Sequence, residues 1–229
     1  MIKAIYFDLD NTLVDRNASI DKFAHHFVDV FSADLQESCP VLVSSIVKEQ
    51  DNGGYLPSDS KYSKIFQAIG CELSIQLDWV NSQRPEKLSE FWKTAFSKCT
   101  VEMKGAADLV EYLHQQKYHL GVISNGAEKS RLSTIEATSF GHLFSQVVSS
   151  EKFGISKPEP SIFKCTASQA NFEAHECIYI GDHPIKDVLG ASRAGLRAVW
   201  LKGFHDEIDF PQDTVIVNNL DAVREALSL

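Results

Sequence analysis

Carboxylates stand directly after two apolar, β-rich segments of the sequence, and their spacing suits joint chemistry. Asp8 and Asp10 close the first segment, and Asp182 follows a later one. Residues two apart in an extended chain point to the same side, so Asp8 and Asp10 can face one ligand. Crowded carboxylates repel one another unless a cation lies among them, and Mg²⁺ suits an all-oxygen set of ligands. With phosphate bound beside such an ion, one Asp could attack phosphorus and the other could act as general acid and base.

Three other types of polar group follow further apolar segments. They are the hydroxyl and amide of Ser124 and Asn125, and the ammonium of Lys157, while a further carboxylate, Asp187, lies five residues beyond Asp182. Alone, each group is typical of a turn or of solvated surface. Their joint occurrence at successive segment ends predicts a site for an anionic ligand.

The elements that must position these groups are six predicted strands. Because most are continuously apolar rather than alternating, they indicate strands buried on both faces of a mostly parallel sheet. Helical stripes of apolar residues separate several of them, so the sequence predicts an α/β fold with a doubly wound, Rossmann-like sheet. Ligands bind at the carboxyl ends of such strands. The predicted strands are Lys3–Asp10, His119–Asn125, Gln146–Ser150, Cys177–Asp182, Arg197–Leu201 and Val215–Asn218.

The alternation of strand and helix is interrupted once, by a helical insertion after the first strand. Apolar stripes predict helices from Ile20 to Phe31, from Tyr62 to a stop at Gly70, and from Pro85 to Cys99. The apolar residues of 73–79 alternate and could form a strand, but a further helix is predicted there. The sequence therefore predicts a catalytic core of residues 1–15 and 100–229 with a helical cap of residues 16–99. The stretch Leu220–Leu229 reads as a closing helix.

Composition limits the class of protein. The 229 residues carry 22 Lys and Arg against 31 Asp and Glu, a formal charge of −9, which argues against gripping nucleic acid or an anionic membrane. The five cysteines are widely spaced and form no C-x-x-C pair, as is typical of reduced thiols. There is no signal-peptide pattern and no long apolar stretch. We therefore expect a soluble, cytoplasmic protein.

These residues, in this order, resemble the four motifs of the haloacid dehalogenase-like hydrolase superfamily, and the resemblance covers the whole chain. The matching segments are Asp8-Leu9-Asp10-Asn11-Thr12, Ser124-Asn125-Gly126, Lys157-Pro158 and Gly181-Asp182-His183-Pro184-Ile185-Lys186-Asp187. The helical insertion after the first motif is similar to that of the subgroup with helical caps.

The resemblance implies a role for each motif residue. Asp8 would be the nucleophile and Asp10 the general acid and base. Ser124 and Lys157 would bind the phosphoryl group, and we group Asn125 with them. Asp8, Asp182 and the backbone carbonyl of Asp10 would hold Mg²⁺. Asp187 would support the site through contacts with the residues that bind the ligands.

The expected activity is hydrolysis of a small phosphate monoester, of the nucleotide, sugar phosphate or phosphoglycolate class. Two alternatives stay open: a phosphomutase of the same fold, and a catalytically idle binding protein. Asp10 argues against a dehalogenase, because displacing halide requires no protonation of a leaving group and those enzymes lack an Asp at this position. The sequence does not identify the physiological substrate, the cap residues that recognise it or the oligomeric state.

Overall fold

A sheet of six parallel strands organises the larger part of the chain in the computed structural model, which describes residues 1–57 and 59–227. The strand order is β3-β2-β1-β4-β5-β6. The six predicted strands are present, with ends shortened by up to three residues, which confirms the α/β fold. Their bounds are β1 Ala4–Phe7, β2 His119–Ser124, β3 Gln146–Ser149, β4 Cys177–Gly181, β5 Arg197–Leu201 and β6 Val215–Val217.

Strand β1 shows why the apolar runs are continuous. All four of its residues are buried. Ile5 and Phe7 belong to the apolar cluster on one face of the sheet, whereas Ala4 and Tyr6 belong to the cluster on the other face. Since helices cover both faces, a polar residue in this strand would be buried away from water.

The helices of this sheet-containing unit follow the predicted pattern. Pro160 begins the helix Pro160–Gln169, where its missing N–H costs nothing. The predicted closing helix begins as a 3₁₀ turn, Leu220–Ala222, and Ser228 and Leu229 lie outside the described residues. The helices are α5 Ala106–Gln115, α6 Glu128–Glu136, α7 Ser150–Phe153, α8 Pro160–Gln169, a π-helical turn Pro184–Leu189, α9 Gly190–Ala194 and α10 Val223–Leu227.

The chain divides into two compact units. One comprises residues 1–15 and 102–229 and contains the sheet; the other comprises residues 16–101 and is helical. The helical unit has its own apolar core, in which Phe23, Phe27 and Trp92 are buried. Its helices are α1 Arg16–Phe31, α2 Pro40–Asp51, α3 Ile65–Gln76 and α4 Pro85–Ala95, with 3₁₀ turns at Asn52–Gly54 and Phe96–Cys99.

Gly70 does not end a helix as predicted, because it lies inside α3. A Cβ atom at this position would stand 2.1 Å from Oγ of Ser89 and 2.5 Å from the carbonyl oxygen of Pro85. The missing side chain therefore permits close packing of α3 against α4, and this tertiary contact outweighs the poor helix propensity of glycine.

The remaining differences in the helical unit concern helix ends. The predicted helix over 73–79 belongs to α3 only as far as Gln76, and Trp79 instead forms a β-bridge with Leu35. The predicted helix from Pro85 to Cys99 becomes α4 and a 3₁₀ turn. Helix α2 has no counterpart among the predicted stripes. No helix in the described part of the chain combines the length and apolarity needed to span a membrane.

A buried ion pair ties α1 to the end of α2. Arg16 donates from Nε and Nη2 to the two carboxylate oxygens of Asp51, both at 2.7 Å. The Asp51 carboxylate also accepts the backbone N–H of Gly54 at 3.0 Å, and the guanidinium lies over the ring of Phe96. Asp51 therefore fixes the turn after α2 and depends on Arg16 for charge balance.

We expect Arg16→Met to lower the free energy of unfolding of the helical unit by about 3–5 kcal/mol, because it leaves the Asp51 carboxylate buried without its cation. Urea unfolding, with hydrogen exchange of the α1 and α2 amides, measures this change. The control is Lys48→Met, because Lys48 forms an exposed pair with Asp21 that should contribute less than about 1 kcal/mol. Equal losses in both variants would contradict the role assigned to Arg16.

Candidate active site

The carboxyl ends of three neighbouring strands bring the predicted residues together. Asp8 follows β1, Ser124 ends β2 and Asp182 follows β4, and β1 lies between the other two in the sheet. The backbone N–H of Asp8 donates to the carbonyl of Ile180 at 2.9 Å, so the sheet ladder reaches the site. The sheet thus sets the positions of these side chains before any side-chain contact forms.

Lys157 occupies the middle of the site. Its Nζ donates to Oδ1 of Asp8 at 2.7 Å, to Oδ1 of Asp187 at 2.6 Å and to the hydroxyl of Tyr179 at 2.8 Å. The Tyr179 hydroxyl in turn donates to the carbonyl of Ile123 at 2.7 Å. The lysine side chain is only 3% exposed. Three bonds at one buried ammonium leave it a single orientation, beside the predicted nucleophile.

Asn125 holds the backbone of this lysine. Its Oδ1 accepts the backbone N–H of Lys157 at 2.9 Å, and its Nδ2 donates to the Lys157 carbonyl at 3.0 Å. The sequence prediction placed Asn125 among the phosphate-binding residues. In the structure its amide positions Lys157, and the second N–H of Nδ2 has no acceptor among the described residues and is available to a ligand.

Buried carboxylates form a cluster beside Lys157. Asp8, Asp182 and Asp187 each offer an oxygen, and these oxygens lie within 4.8 Å of one another. Asp187 is already engaged, because its second oxygen accepts the backbone N–H of His183 at 2.9 Å. A Cβ on Gly181 would stand 2.5 Å from the Asp187 carboxyl carbon, so the glycine makes room for this carboxylate. Asp187 therefore serves mainly to hold Lys157.

Burial sets the charge balance of the cluster. It raises the pKa of Asp8 to about 7, against the attraction of Lys157, and it also raises the pKa of Asp182. Burial disfavours the charged form of Lys157, but the carboxylates of Asp187 and Asp8 together have the larger effect. The pKa of the ammonium group is therefore raised. Three buried carboxylates around one ammonium leave negative charge that a divalent cation would balance. Since the donors are oxygens, the residues present fit Mg²⁺.

The side chain of Asp10 lies outside this cluster. Its Oδ2 accepts a hydrogen bond from Nη1 of Arg131, and the same nitrogen stands 3.5 Å from Oγ of Ser124. Asp10 was predicted to reach a metal through its backbone carbonyl, which leaves the carboxylate available for another role. The structure thus separates the two carboxylates of the first motif, one beside Lys157 and one beside Arg131.

Arg131 and Tyr179 are site residues that sequence reasoning missed. Arg131 is the fourth residue of α6, close to the helix N-terminus, where the helix dipole disfavours a cation. A basic residue at this unfavourable position was the feature of the sequence that pointed to a functional role. Tyr179 stands two residues before Gly181 on β4, which places both on one side of the strand. Its hydroxyl in an otherwise apolar run was the only hint of a polar partner.

Comparisons with known proteins identify the family. The model of haloacid dehalogenase-like hydrolases matches residues 5–201. A glyceraldehyde 3-phosphate phosphatase of Pyrococcus abyssi is 29% identical over 210 residues, which cover 88% of this chain and 82% of that protein. The pyrimidine 5'-nucleotidase YjjG of Escherichia coli is 25% identical over 206 residues, which cover 89% and 87% of the two chains.

The fold has counterparts among solved structures. The HAD hydrolase YfnB of Bacillus subtilis, solved bound to magnesium, has a TM-score of 0.73 at 18% identity, with 100% of this chain and 99% of that one covered. This likeness shows the fold, and the family model shows the membership that the motifs suggested. The chain belongs to the haloacid dehalogenase-like hydrolases and is therefore an enzyme, a hydrolase.

Proposed function

We propose that this hydrolase is a Mg²⁺-dependent phosphatase of small phosphate monoesters that works through an aspartyl-phosphate on Asp8. The observation that carries the proposal is the buried contact of Lys157 with Asp8 beside Asp182, at the carboxyl ends of neighbouring strands. Lys157 binds Oδ1 of Asp8, and no described residue donates to Oδ2. That oxygen can attack phosphorus, while the ammonium attracts the phosphoryl oxygens.

The proposed reaction has two steps that share one acid and base. Oδ2 of Asp8 forms a bond to phosphorus as the bond from phosphorus to the leaving oxygen breaks, and Asp10 gives that oxygen its proton. In the second step Asp10 removes a proton from water, the water oxygen attacks phosphorus, and inorganic phosphate departs from the regenerated Asp8 carboxylate. The different partners of the two carboxylates, Lys157 for Asp8 and Arg131 for Asp10, support this division of roles.

The remaining site residues support these steps. In this proposal Ser124 binds the phosphoryl oxygens and the positive charge of Lys157 attracts them, while Asn125 positions the backbone of Lys157 and Asp187 holds its ammonium group. Asp8, Asp182 and the backbone carbonyl of Asp10 would hold the magnesium ion. When bound, the ion supplies positive charge that lets an anionic nucleophile approach an anionic phosphate.

The helical unit would act as the cap that selects the substrate. The sequence prediction bounded the cap at residues 16–99, and the observed unit spans 16–101. A cap that excludes water during transfer would favour phosphorylation of Asp8 over side reactions. The relatives are named as phosphatases of glyceraldehyde 3-phosphate, of phosphoglycolate and of pyrimidine nucleotides. We extend to this chain only their shared class, a small phosphate monoester.

A phosphate-release screen tests this function. It covers nucleotides, triose and hexose phosphates, phosphoglycolate and flavin mononucleotide, each with Mg²⁺ and with chelator. We expect free phosphate from at least one ester. An isomeric sugar phosphate without free phosphate would indicate the phosphomutase instead, and inactivity across the whole panel would favour the idle binding protein. Chloride release from a 2-haloacid would contradict the acid role of Asp10.

Asp10→Asn should impair hydrolysis according to the leaving group. For an alkyl phosphate we expect kcat/KM to fall by about 10²–10⁴-fold, because the departing alkoxide then receives no proton. For p-nitrophenyl phosphate the fall should be much smaller, since p-nitrophenolate leaves without help. The ratio kcat/KM is the appropriate measure because it reports on the first irreversible step. Equal losses on both esters would show that Asp10 is not the acid.

A further inference from the structure

The guanidinium of Arg131 is built into the site by the structure around it. The residue is 8% exposed, and within the described chain Asp10 is its only acidic partner. Its Nη1 lies between two groups of the reaction, the Asp10 carboxylate and the Ser124 hydroxyl. Burying a cation without an anionic partner costs desolvation free energy, so the contact with Asp10 accounts for the presence of a buried arginine here.

The loop after β2 holds Arg131 in place. Gly126 has a φ of 138°, and a Cβ there would stand 3.0 Å from Nε of Arg131 and 3.2 Å from its guanidinium carbon. The glycine backbone therefore lies along one edge of the guanidinium. The N–H of Gly126 donates to Oγ of Ser150 at 3.0 Å, so the residue that follows β3 anchors this loop.

The first turn of α6 is anchored as well. Glu128, its first residue, accepts hydrogen bonds from the hydroxyl of Ser149 at 2.5 Å and from Nζ of Lys152 at 2.9 Å. The N–H of Arg131 donates to the Ala127 carbonyl at 3.0 Å. Arg131 thus stands on a helix whose start is fixed to the end of β3, whereas Asp10 lies in the loop after β1.

We propose that Arg131 is a positioning residue that holds the Asp10 carboxylate at the leaving-group side of the site. Only Nη1 of the guanidinium has hydrogen-bond acceptors among the described residues, and the charged acceptor is Asp10. The buried Nε has no partner there, so the contact with Asp10 is what orients the guanidinium toward the site. This inference rests on the proposed function, because it gives Asp10 the role of acid and base.

The alternative is that Arg131 binds the substrate phosphate directly, and kinetics distinguish the two roles. A residue that acts through Asp10 matters most when the leaving group needs a proton. A residue that binds phosphate matters equally for all esters, because each carries the same phosphoryl group. The leaving-group dependence is therefore a readout that a merely structural or phosphate-binding role would not produce.

The experiment compares Arg131→Met, Arg131→Lys and the double variant Arg131→Met/Asp10→Asn over a series of aryl and alkyl phosphates. For Arg131→Met we expect kcat/KM to fall on the order of 10- to 100-fold for alkyl esters and less than about 3-fold for p-nitrophenyl phosphate. Arg131→Lys should recover part of the loss on alkyl esters. In the Asp10→Asn background, Arg131→Met should cost less than about 2-fold more, because the two residues act as a unit.

The control variant is Lys129→Met, which removes an exposed cation from the same helix and should change kcat/KM less than about 2-fold for every ester. A uniform loss across the ester series, or a full additional loss in the Asp10→Asn background, would overturn the positioning role in favour of phosphate binding.

A structural measurement separates this inference from the proposed function. In crystal structures of the wild type and Arg131→Met, we expect the Asp10 carboxylate to hold one rotamer in the former and to move or spread over several in the latter. An unchanged Asp10 rotamer would overturn the positioning role even in an inactive protein. A wild type that hydrolyses no phosphate ester would overturn the proposed function, and the rotamer comparison would still decide what Arg131 does.

Discussion

Asp8→Asn should abolish phosphatase turnover, with a loss on the order of 10⁴-fold or more, because it removes the nucleophile on which both steps depend. Asparagine keeps the shape of the side chain and can still accept a bond from Lys157. The loss should be the same for all leaving groups, in contrast to Asp10→Asn. Acid-quenched wild-type enzyme should carry one phosphoryl group by intact mass spectrometry, and the Asp8→Asn enzyme should carry none.

The matched control for this substitution is Asp108→Asn, an exposed carboxylate on α5 in the same unit. Its turnover should equal that of the wild type, since it lies outside the cluster around Lys157. Retention of a phosphoryl group by the Asp8→Asn enzyme would assign the nucleophile to another residue and so contradict the proposed mechanism.

The same substitution should stabilise the metal-free protein. Burial raises the pKa of Asp8 to about 7. Above pH 7 the folded protein therefore contains a buried, ionised carboxylate, and this charge is less stable there than in the solvated unfolded chain. With chelator at pH 8 we therefore expect Asp8→Asn to melt at a higher temperature than the wild type. The difference should shrink as pH falls from 7 towards 4, where the folded wild type binds the proton. A lower melting temperature for the variant at pH 8 would contradict this charge balance.

The sheet was predictable because its physical cause is local in sequence. A strand covered on both faces must be apolar throughout, and β1 and β4 show this directly. Gly70 shows the limit of local reasoning. Glycine is unfavourable in a helix, yet α3 continues through it because Pro85 and Ser89 of the next helix, α4, lie against that position. Nothing near Gly70 in the sequence records that contact.

The candidate site also has features that the sequence predicts and features that it does not. The positions of Asp8, Ser124 and Asp182 followed from the ends of predicted strands, since parallel strands bring those ends to one edge. The partners of these residues did not follow. That Asn125 holds Lys157 and that Arg131 meets Asp10 depends on the direction of side chains from separate loops. Spacing along the chain carries no information about such directions.

Removal of magnesium should abolish turnover, and its return should restore it. The buried cluster offers oxygens of Asp8 and Asp182 to a cation. Without one, burial raises the pKa of both carboxyl groups, the charge of Asp187 adds to this rise, and the uncompensated negative charge repels the substrate. Binding can also be measured without activity. At Mg²⁺ near 100 times its Kd, the folded state should gain about 2.7 kcal/mol. For a chain of this size, that gain raises Tm by roughly 5–10 °C.

Substitutions locate this ion among the three buried carboxylates. Asp182→Asn should remove most of the Mg²⁺-dependent rise in Tm, because it deletes a charged ligand, whereas the exposed control Asp206→Asn should keep the rise in full. Asp187→Asn should keep most of it and instead lower kcat, because both oxygens of Asp187 already accept bonds from Lys157 and His183. If Asp187→Asn loses the rise in Tm and Asp182→Asn retains it, the ion lies against Asp187. Full activity after exhaustive chelation would remove the metal from the mechanism altogether.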